Sequence, residues 1–212
     1  MTKKLFSGDE AIARGAWEYG VRFASAYPGT PSTEILEAVA QYPDIEAQWS
    51  TNEKVAFEIA MGASIGGART LVAMKHVGVN VAADPLMTFA YTGVNGGFIL
   101  VSADDPSMHS SQNEQDNRRF AAFARIPMLE PSDSAEAKDF VGAALEISET
   151  FDTPVMLRIT TRTAHGKSVA VLGERQERAL RNPGKIDREK FVMLPMYARR
   201  RRVVMAEREE RL

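Results

Sequence analysis

The chain has 212 residues, 44% of them hydrophobic and 25% charged, with a net charge of -2; this is the balance of one globular domain plus an extension, not of a disordered or fibrous chain. It contains no cysteine, which excludes disulfides, thiolate chemistry and a cysteine-ligated iron–sulfur cluster in this chain. No apolar run approaches the roughly 18 residues of a membrane span, and the start Met1–Glu10 has no apolar signal region, so a cytoplasmic protein without a membrane partner is expected.

Ser7-Gly8-Asp9-Glu10 reads as a capping box opening a helix that runs to about Tyr19 and is closed by Gly20. Val21 to Ala26 is a short buried strand, leading into Tyr27-Pro28-Gly29-Thr30-Pro31-Ser32. Pro31 suits a first helical position with Thr30 as cap, the helix running to about Gln41. Ile45 to Trp49 is a second strand. Asn52 to the Gly66-Gly67 pair is a helix whose Val55, Ile59 and Ala63 fall on one apolar face. Thr70 to Met74 is a third strand, ending at Lys75-His76-Val77-Gly78 before a helix from about Asn80 to Tyr91. Gly97 to Ala103 is a fourth strand, followed by a polar loop from Asp104 to Gln115 and a short helix around Asp116 to Ala124. Pro127 to Glu130 is a fifth strand, Ser134 caps a helix from Ala135 to Ser148, and Pro154 to Thr160 is a sixth strand.

Strands alternate with helices, and the strands are continuous apolar runs, so they are expected to be buried on both faces. That predicts an α/β fold: a doubly wound, mostly parallel six-stranded sheet with helices on both faces. Ligands of such sheets bind at the carboxyl edge. The polar stretches 28–32, 50–53, 75–78, 104–115 and 161–165 all follow strands and fall at that edge.

Near Gly166 the charge balance changes. Residues 166–212 carry 13 Lys and Arg against 7 Asp and Glu, whereas residues 1–165 carry 13 against 21. We therefore divide the chain into an α/β domain over 1–165 and a charged linker or C-terminal extension over 166–212. The run Arg199–Arg202 has no aromatic residues interleaved and is followed by Glu207, Glu209 and Glu210. It reads as a solvated helix or inter-domain arm, not a nucleic-acid surface.

Several sites are excluded outright. Neither a phosphate loop nor a Gly-x-Gly-x-x-Gly fingerprint is present, and His76, His109 and His165 lack metal-ligand spacing. Ser110-Ser111 has no nucleophile-elbow pattern. Glu53 stands out because it occupies the first turn of a helix just after a strand, where the electropositive helix end favours a carboxylate. Ser50-Thr51-Asn52-Glu53 can equally be a capping box, with Glu53 at the third helical position. Thr30 as a helix cap, Arg119 as surface charge and Lys75 as a solvated strand end are the corresponding bland readings.

Asn52-Glu53, Ala56, Ala60, Gly62, Ala63 and Ala68-Arg69 resemble the motif of the pyrimidine-binding domain of thiamine-diphosphate enzymes. Tyr27-Pro28-Gly29-Thr30-Pro31-Ser32-Thr33 resembles the signature of 2-oxoacid:ferredoxin oxidoreductases, and Ser111 to Phe120 is similar to the loop of their arylpyruvate (indolepyruvate) members. Lys75-His76-Val77-Gly78-Val79-Asn80 points the same way. The likeness runs from residue 5 to about 165 and continues into Met193–Arg201. It is a resemblance to the N-terminal, pyrimidine-binding domain of the alpha subunit of indolepyruvate ferredoxin oxidoreductases.

That resemblance implies a part of an oxidoreductase that decarboxylates arylpyruvates to acyl-CoA and reduces ferredoxin. Glu53 would be the catalytic acid, trading a proton with a ring nitrogen of the aminopyrimidine of thiamine diphosphate. Gly29 and Thr30 would lie by the cofactor, Thr30 offering its hydroxyl to the 2-oxoacid. Arg119, or else Arg118, would neutralise the substrate carboxylate, with Lys75 and His76 lining the same pocket. One departure limits the reading. The Gly-Asp-Gly motif that holds magnesium and the diphosphate is missing, Gly8-Asp9-Glu10 being its nearest match. Mg2+, the iron–sulfur clusters and the diphosphate half-site are thus expected on partner domains, with coenzyme A and ferredoxin as further partners, a dimer as the assembly, and no activity from this chain alone. The alternatives are a non-catalytic interaction module with the same fold and, more weakly, a nucleotide-binding α/β protein of another family.

Overall fold

Four strands of this chain are buried along essentially their whole length, as their unbroken apolar runs require: β2 (Phe23–Ala26), β4 (Thr70–Lys75), β5 (Phe98–Asp104) and β7 (Val155–Thr160). In the computed structural model, which describes residues 2–182, 184 and 186–212, they are joined by β3 (Glu46–Trp49) and β6 (Met128–Leu129) in one six-stranded sheet of order β3-β2-β4-β5-β7-β6. All five pairings are parallel.

One face of the sheet is covered by α1 (Gly8–Glu18), α2 (Thr33–Val39) and α7 (Ser134–Phe151), which pack Ile12, Ile35, Leu36, Val141 and Leu145 on Leu71, Ile99, Val101 and Leu157. The other is covered by α3 (Glu53–Ile65), α4 (His76–Val81), α5 (Ala83–Thr92) and α6 (Arg118–Ala124). There Phe57, Phe89 and Phe98 form an aromatic knot with centroids 4.8–6.0 Å apart. The connection leaving β2 crosses one face and the one leaving β4 the other. The two chains therefore part at the carboxyl ends of β2 and β4, which opens a crevice there.

Several local expectations change. The first helical position after β2 is Thr33, with Ser32 as N-cap and a cis Thr30–Pro31 peptide, so Pro31 does not open the helix and Thr30 does not cap it. The helix expected over 80–91 is two, because the chain leaves helical geometry at Ala82. Asp133, not Ser134, caps α7: its carboxylate accepts from the Glu136 amide at 2.9 Å. The buried face of α3 is Ala56, Phe57, Ala60 and Ser64, while Val55, Ile59 and Ala63 flank it half-buried. The stretch 161–165 is a short helix, α8 (Thr161–His165).

Residues beyond 166 are docked on the domain. β8 (Ser168–Val171) pairs antiparallel with β1 (Lys3–Phe6). The chain then runs across the amino edge of the main sheet, where the Gln176 amide donates to Glu18 O at 2.7 Å and the Arg181 amide to Gly67 O at 3.0 Å. After α9 (Arg188–Phe191), α10 (Pro195–Arg211) returns along α5 and buries Met205. Arg201 donates to Tyr91 O and Thr92 O, and Arg208 to Ala90 O and Asp152 O. Both cations thus meet helix C-termini, where the helix dipole favours positive charge. Among the described residues, no helix is long and apolar enough to cross a membrane.

Candidate functional site

The carboxyl edge assembles from five strand ends. Glu53 is the first residue of α3, and Asn52 is its N-cap, accepting from the Val55 amide at 3.0 Å. The capping-box alternative is thereby overturned: Glu53 stands at the first helical position, and its carboxylate makes no hydrogen bond to the described residues. The side chain is half-buried and lies against Gly78 of α4. A Cβ built on Gly78 would come within 2.6 Å of Glu53 Cγ and 2.7 Å of Oε1, so only glycine lets the two helices bring this carboxylate so close to backbone.

Across the crevice, the loop after β2 is pinned on itself. The Gly29 amide donates to Thr33 Oγ1 at 2.8 Å, and Gly29 O accepts from Ser32 Oγ at 2.7 Å. Gly29 faces the next strand end: its notional Cβ would lie 3.2 Å from Lys75 Cβ. Lys75, only 7% exposed, sends its ammonium to Ser110 O at 2.7 Å and has no carboxylate partner among the described residues. A buried ammonium satisfied only by carbonyl oxygen leaves its charge uncompensated. His76 is fully buried. Its Nε2 lies 3.0 Å from Asn113 O, and its Nδ1 has no partner. Thr30 is exposed, and its carbonyl accepts from Ser110 Oγ at 3.5 Å. Thr30, Lys75 and His76 therefore converge on one loop, residues 105–117, with Gly29 held against Lys75 beside them.

Asp104 and Asp105, consecutive at the end of β5, aim at opposite faces and fix that loop from both sides. Asp104 accepts from Arg158 Nε at 2.8 Å, Ser102 Oγ at 2.9 Å and the Asn117 amide at 3.1 Å. Asn117 in turn donates to His76 O at 3.2 Å. Arg158 also pairs with Glu130. Asp105 accepts from the amides of His109 and Ser110 and from the hydroxyls of Ser111 and Thr161. Burial raises its pKa, but these hydrogen bonds outweigh burial and hold the carboxyl well below the usual carboxylate range. The polar loop itself was singled out in the sequence, but the Asp104–Arg158–Glu130 brace beneath it was not, although Arg158 left a trace. A single charge inside Val-Met-Leu-Arg-Ile-Thr demands a buried counter-ion.

Arg118 and Arg119 open α6 just past Asn117. Arg118 is exposed and spends its fork on Asp116, at 2.8 and 3.0 Å. Arg119 is exposed, and its guanidinium has no partner among the described residues. No group of three or more His, Cys, Asp or Glu that could hold a metal ion occurs among the described residues. The clefts lined by Arg69, Glu149, Arg178 and Arg181, with volumes of about 230 and 570 Å³, lie at the opposite, amino edge.

Fold and site together define an α/β domain of the kind that holds a ligand at a topological switch point, with an acid and two cations at the carboxyl edge that have no ion-pair partner among the described residues. The chain belongs to the family described as "Pyruvate flavodoxin/ferredoxin oxidoreductase, thiamine diP-bdg", whose model matches residues 14–207. It is similar to the indolepyruvate oxidoreductase subunit IorA of Archaeoglobus fulgidus, with 48% identity over 99% of this chain and 35% of that protein. The same subunit from Pyrococcus horikoshii is 50% identical over 93% of this chain and 32% of that protein. The chain thus spans about a third of the length of these curated relatives. Among solved structures it resembles the 2-oxoglutarate:ferredoxin oxidoreductase from Magnetococcus marinus, with a TM-score of 0.74 and 14% identity over 98% of this chain and 44% of that one. At that identity the likeness concerns the fold.

Proposed function

We propose that this chain supplies the pyrimidine-binding side of a thiamine diphosphate site in an enzyme that oxidatively decarboxylates arylpyruvates, indolepyruvate among them, to acyl-CoA with ferredoxin as electron acceptor. The observation that carries the proposal is the Glu53 carboxylate: half-buried, at a helix start on the carboxyl edge, unpaired, and laid against Gly78. The residues present fit the cofactor's ring, since an unengaged carboxylate and the unpartnered Nδ1 of buried His76 offer polar partners to a nitrogen heterocycle. When bound, thiamine diphosphate supplies the carbanion-stabilising chemistry.

The chain's own residues then bind, orient and move a proton. Glu53 would hold the ring nitrogen of the bound cofactor through its carboxylate and exchange a proton with it, from its place at the start of α3. Thr30 and Gly29 flank the bound 2-oxoacid across the crevice, with the Thr30 hydroxyl free to donate. Arg119, with its fork uncommitted, takes the substrate carboxylate, while Lys75 adds positive charge and buried His76 helps exclude water from the same pocket.

In this reading residues 1–165 are the binding unit. Residues 166–212 strap the amino edge and leave the carboxyl edge clear for a partner domain carrying the diphosphate half-site and Mg2+. The iron–sulfur clusters belong to a further partner, and the working assembly is a dimer. Combining the chain with its diphosphate-binding partner and comparing it with Glu53→Gln tests the proposal. Lost turnover in a folded variant is expected. Near-normal turnover would sink it and favour an interaction module.

A further inference from the structure

The most anomalous side chain outside the site is Asp9. It is 1% exposed, makes no hydrogen bond through its carboxyl group to the described residues, and its Oδ1 is buried without a partner among them. α2 packs against α1, and Glu34 in its first turn, close enough to act on the Asp9 charge, has an Oε2 that is also buried without a partner. Glu10, the other nearby acid, is already engaged by the Ser7 amide at 2.8 Å. The remaining neighbours bring no cation to the pair. α8 presses the backbone of Thr163 and Ala164 on Gly8, while its Arg162 and His165 are exposed. Lys138 of α7 serves Glu18 at the far end of α1, at 2.9 Å, and Lys3 and Lys4 of β1 are exposed. Two carboxylates near each other and away from water cannot both ionise without a large cost.

We infer that a protonated Asp9, set against Glu34, clasps α1 to α2 and through Thr33 holds the Gly29–Thr30 loop, so that the loop loosens when Asp9 ionises. Burial, then Glu34 and then Glu10 push the Asp9 carboxyl up from 3.8 to about 8. The path to the loop is one residue long. Thr33, next to Glu34, accepts from the Gly29 amide at 2.8 Å through its hydroxyl. Repulsion between Asp9 and Glu34 would shift the first turn of α2 and with it that hydrogen bond. The inference stands whether or not the cofactor reading does, because it concerns the protein's own proton.

The folded state binds this proton more tightly than the unfolded chain. Stability from Asp9 is therefore fully present below about pH 4 and lost as pH rises towards about 8. In the full chain, the melting temperature of the wild type should fall relative to Asp9→Asn by up to about 3–5 °C per pH unit over that window. Gly29 amide exchange, corrected for its intrinsic pH dependence, should accelerate with pH in the wild type and not in Asp9→Asn. Should Asp9→Asn fail to fold, Glu34→Gln serves instead, and must lower the midpoint of the Asp9 carboxyl in a carbon-13 titration. Parallel melting profiles, or an Asp9 midpoint in the ordinary range near 4, overturn the clasp. An unchanged Gly29 exchange profile overturns its link to the loop.

Discussion

The two edges of the sheet both carry charge, and only one of them leaves part of it unmatched. At the amino edge the charges are matched. Arg69 holds Glu149 through two bonds of 2.8 Å, Arg181 adds a third at 3.2 Å, and Gly97 N a fourth at 3.3 Å. At the carboxyl edge Arg158 is matched by Asp104 and Glu130, but Glu53 and Arg119 have no partner among the described residues and Lys75 meets only a carbonyl. Paired charge fastens a structure, whereas unpaired charge in a crevice is a cost that folding alone does not explain. The difference marks the carboxyl edge as the candidate site without reference to any relative.

The largest expected effect tests the functional side. Glu53→Gln keeps the size and the helix start of Glu53 but cannot take up a proton at its amide oxygen. Turnover of the assembled enzyme should fall by about 10²–10⁴-fold, the range for losing a general acid–base group. Stability should move by no more than about 0.5 kcal/mol, because no hydrogen bond is lost. Steady-state kinetics with a parallel urea melt separates the two quantities.

The amino edge should give the reverse pattern. Glu149→Ala strands Arg69, only 10% exposed at its side chain, and should cost about 3 kcal/mol with turnover per folded molecule unchanged. The pH signature also reverses that of Asp9. Burial raises the Glu149 pKa, but the Arg69 hydrogen bonds and charge outweigh it and leave the carboxyl lowered from 4.5. Its contribution is therefore present above pH 4.5 and lost as pH falls through the lower folded value. Melting curves between pH 3 and 6 should show this loss in the wild type and not in Glu149→Ala. Gly67→Ala sharpens the same point. Gly67 sits at a φ of +97°, and an added Cβ would fall on the Arg181 carbonyl. The strain should cost about 1–3 kcal/mol and expose residues 173–182 to protease, again without touching turnover.

How much of this was legible in the sequence follows from the same physics. The central sheet was, because a strand buried on both faces must be written as an unbroken apolar run, as in Phe-Ile-Leu-Val-Ser-Ala. β1 and β8 were not: each is four residues long and mostly exposed, so neither burial nor alternation marks them. The amino-edge strap reads as a charged linker because its ties are made mainly by backbone amides and by arginine side chains reaching carbonyls, which composition does not encode. The helix break at Ala82 does have a mark in the sequence: Pro85, in the first turn of α5, has no amide to donate to Val81 O, so the helix cannot run on through it unbroken. The loops of the site were legible as polar punctuation after strands. The Asp104–Arg158 pair that braces them was not, since its residues are 54 apart in the chain and meet only because β5 and β7 are neighbours.

The smallest effect decides between neighbouring arginines. Arg118 and Arg119 are indistinguishable by type and position, but the first is already held by Asp116 and the second is not. A guanidinium bound to a carboxylate has its fork occupied, and recruiting it to a substrate means giving up one charge-assisted pair for another, with little net gain. Arg119→Ala should therefore raise KM for the 2-oxoacid by about tenfold or more, the scale of one charge-assisted contact, with a smaller change in kcat. Arg118→Ala should stay within about twofold, because it removes a contact internal to one exposed turn. Should the two variants exchange these effects, the Asp116 pair is broken when substrate binds, and α6 must rotate about its own axis to present the other side chain.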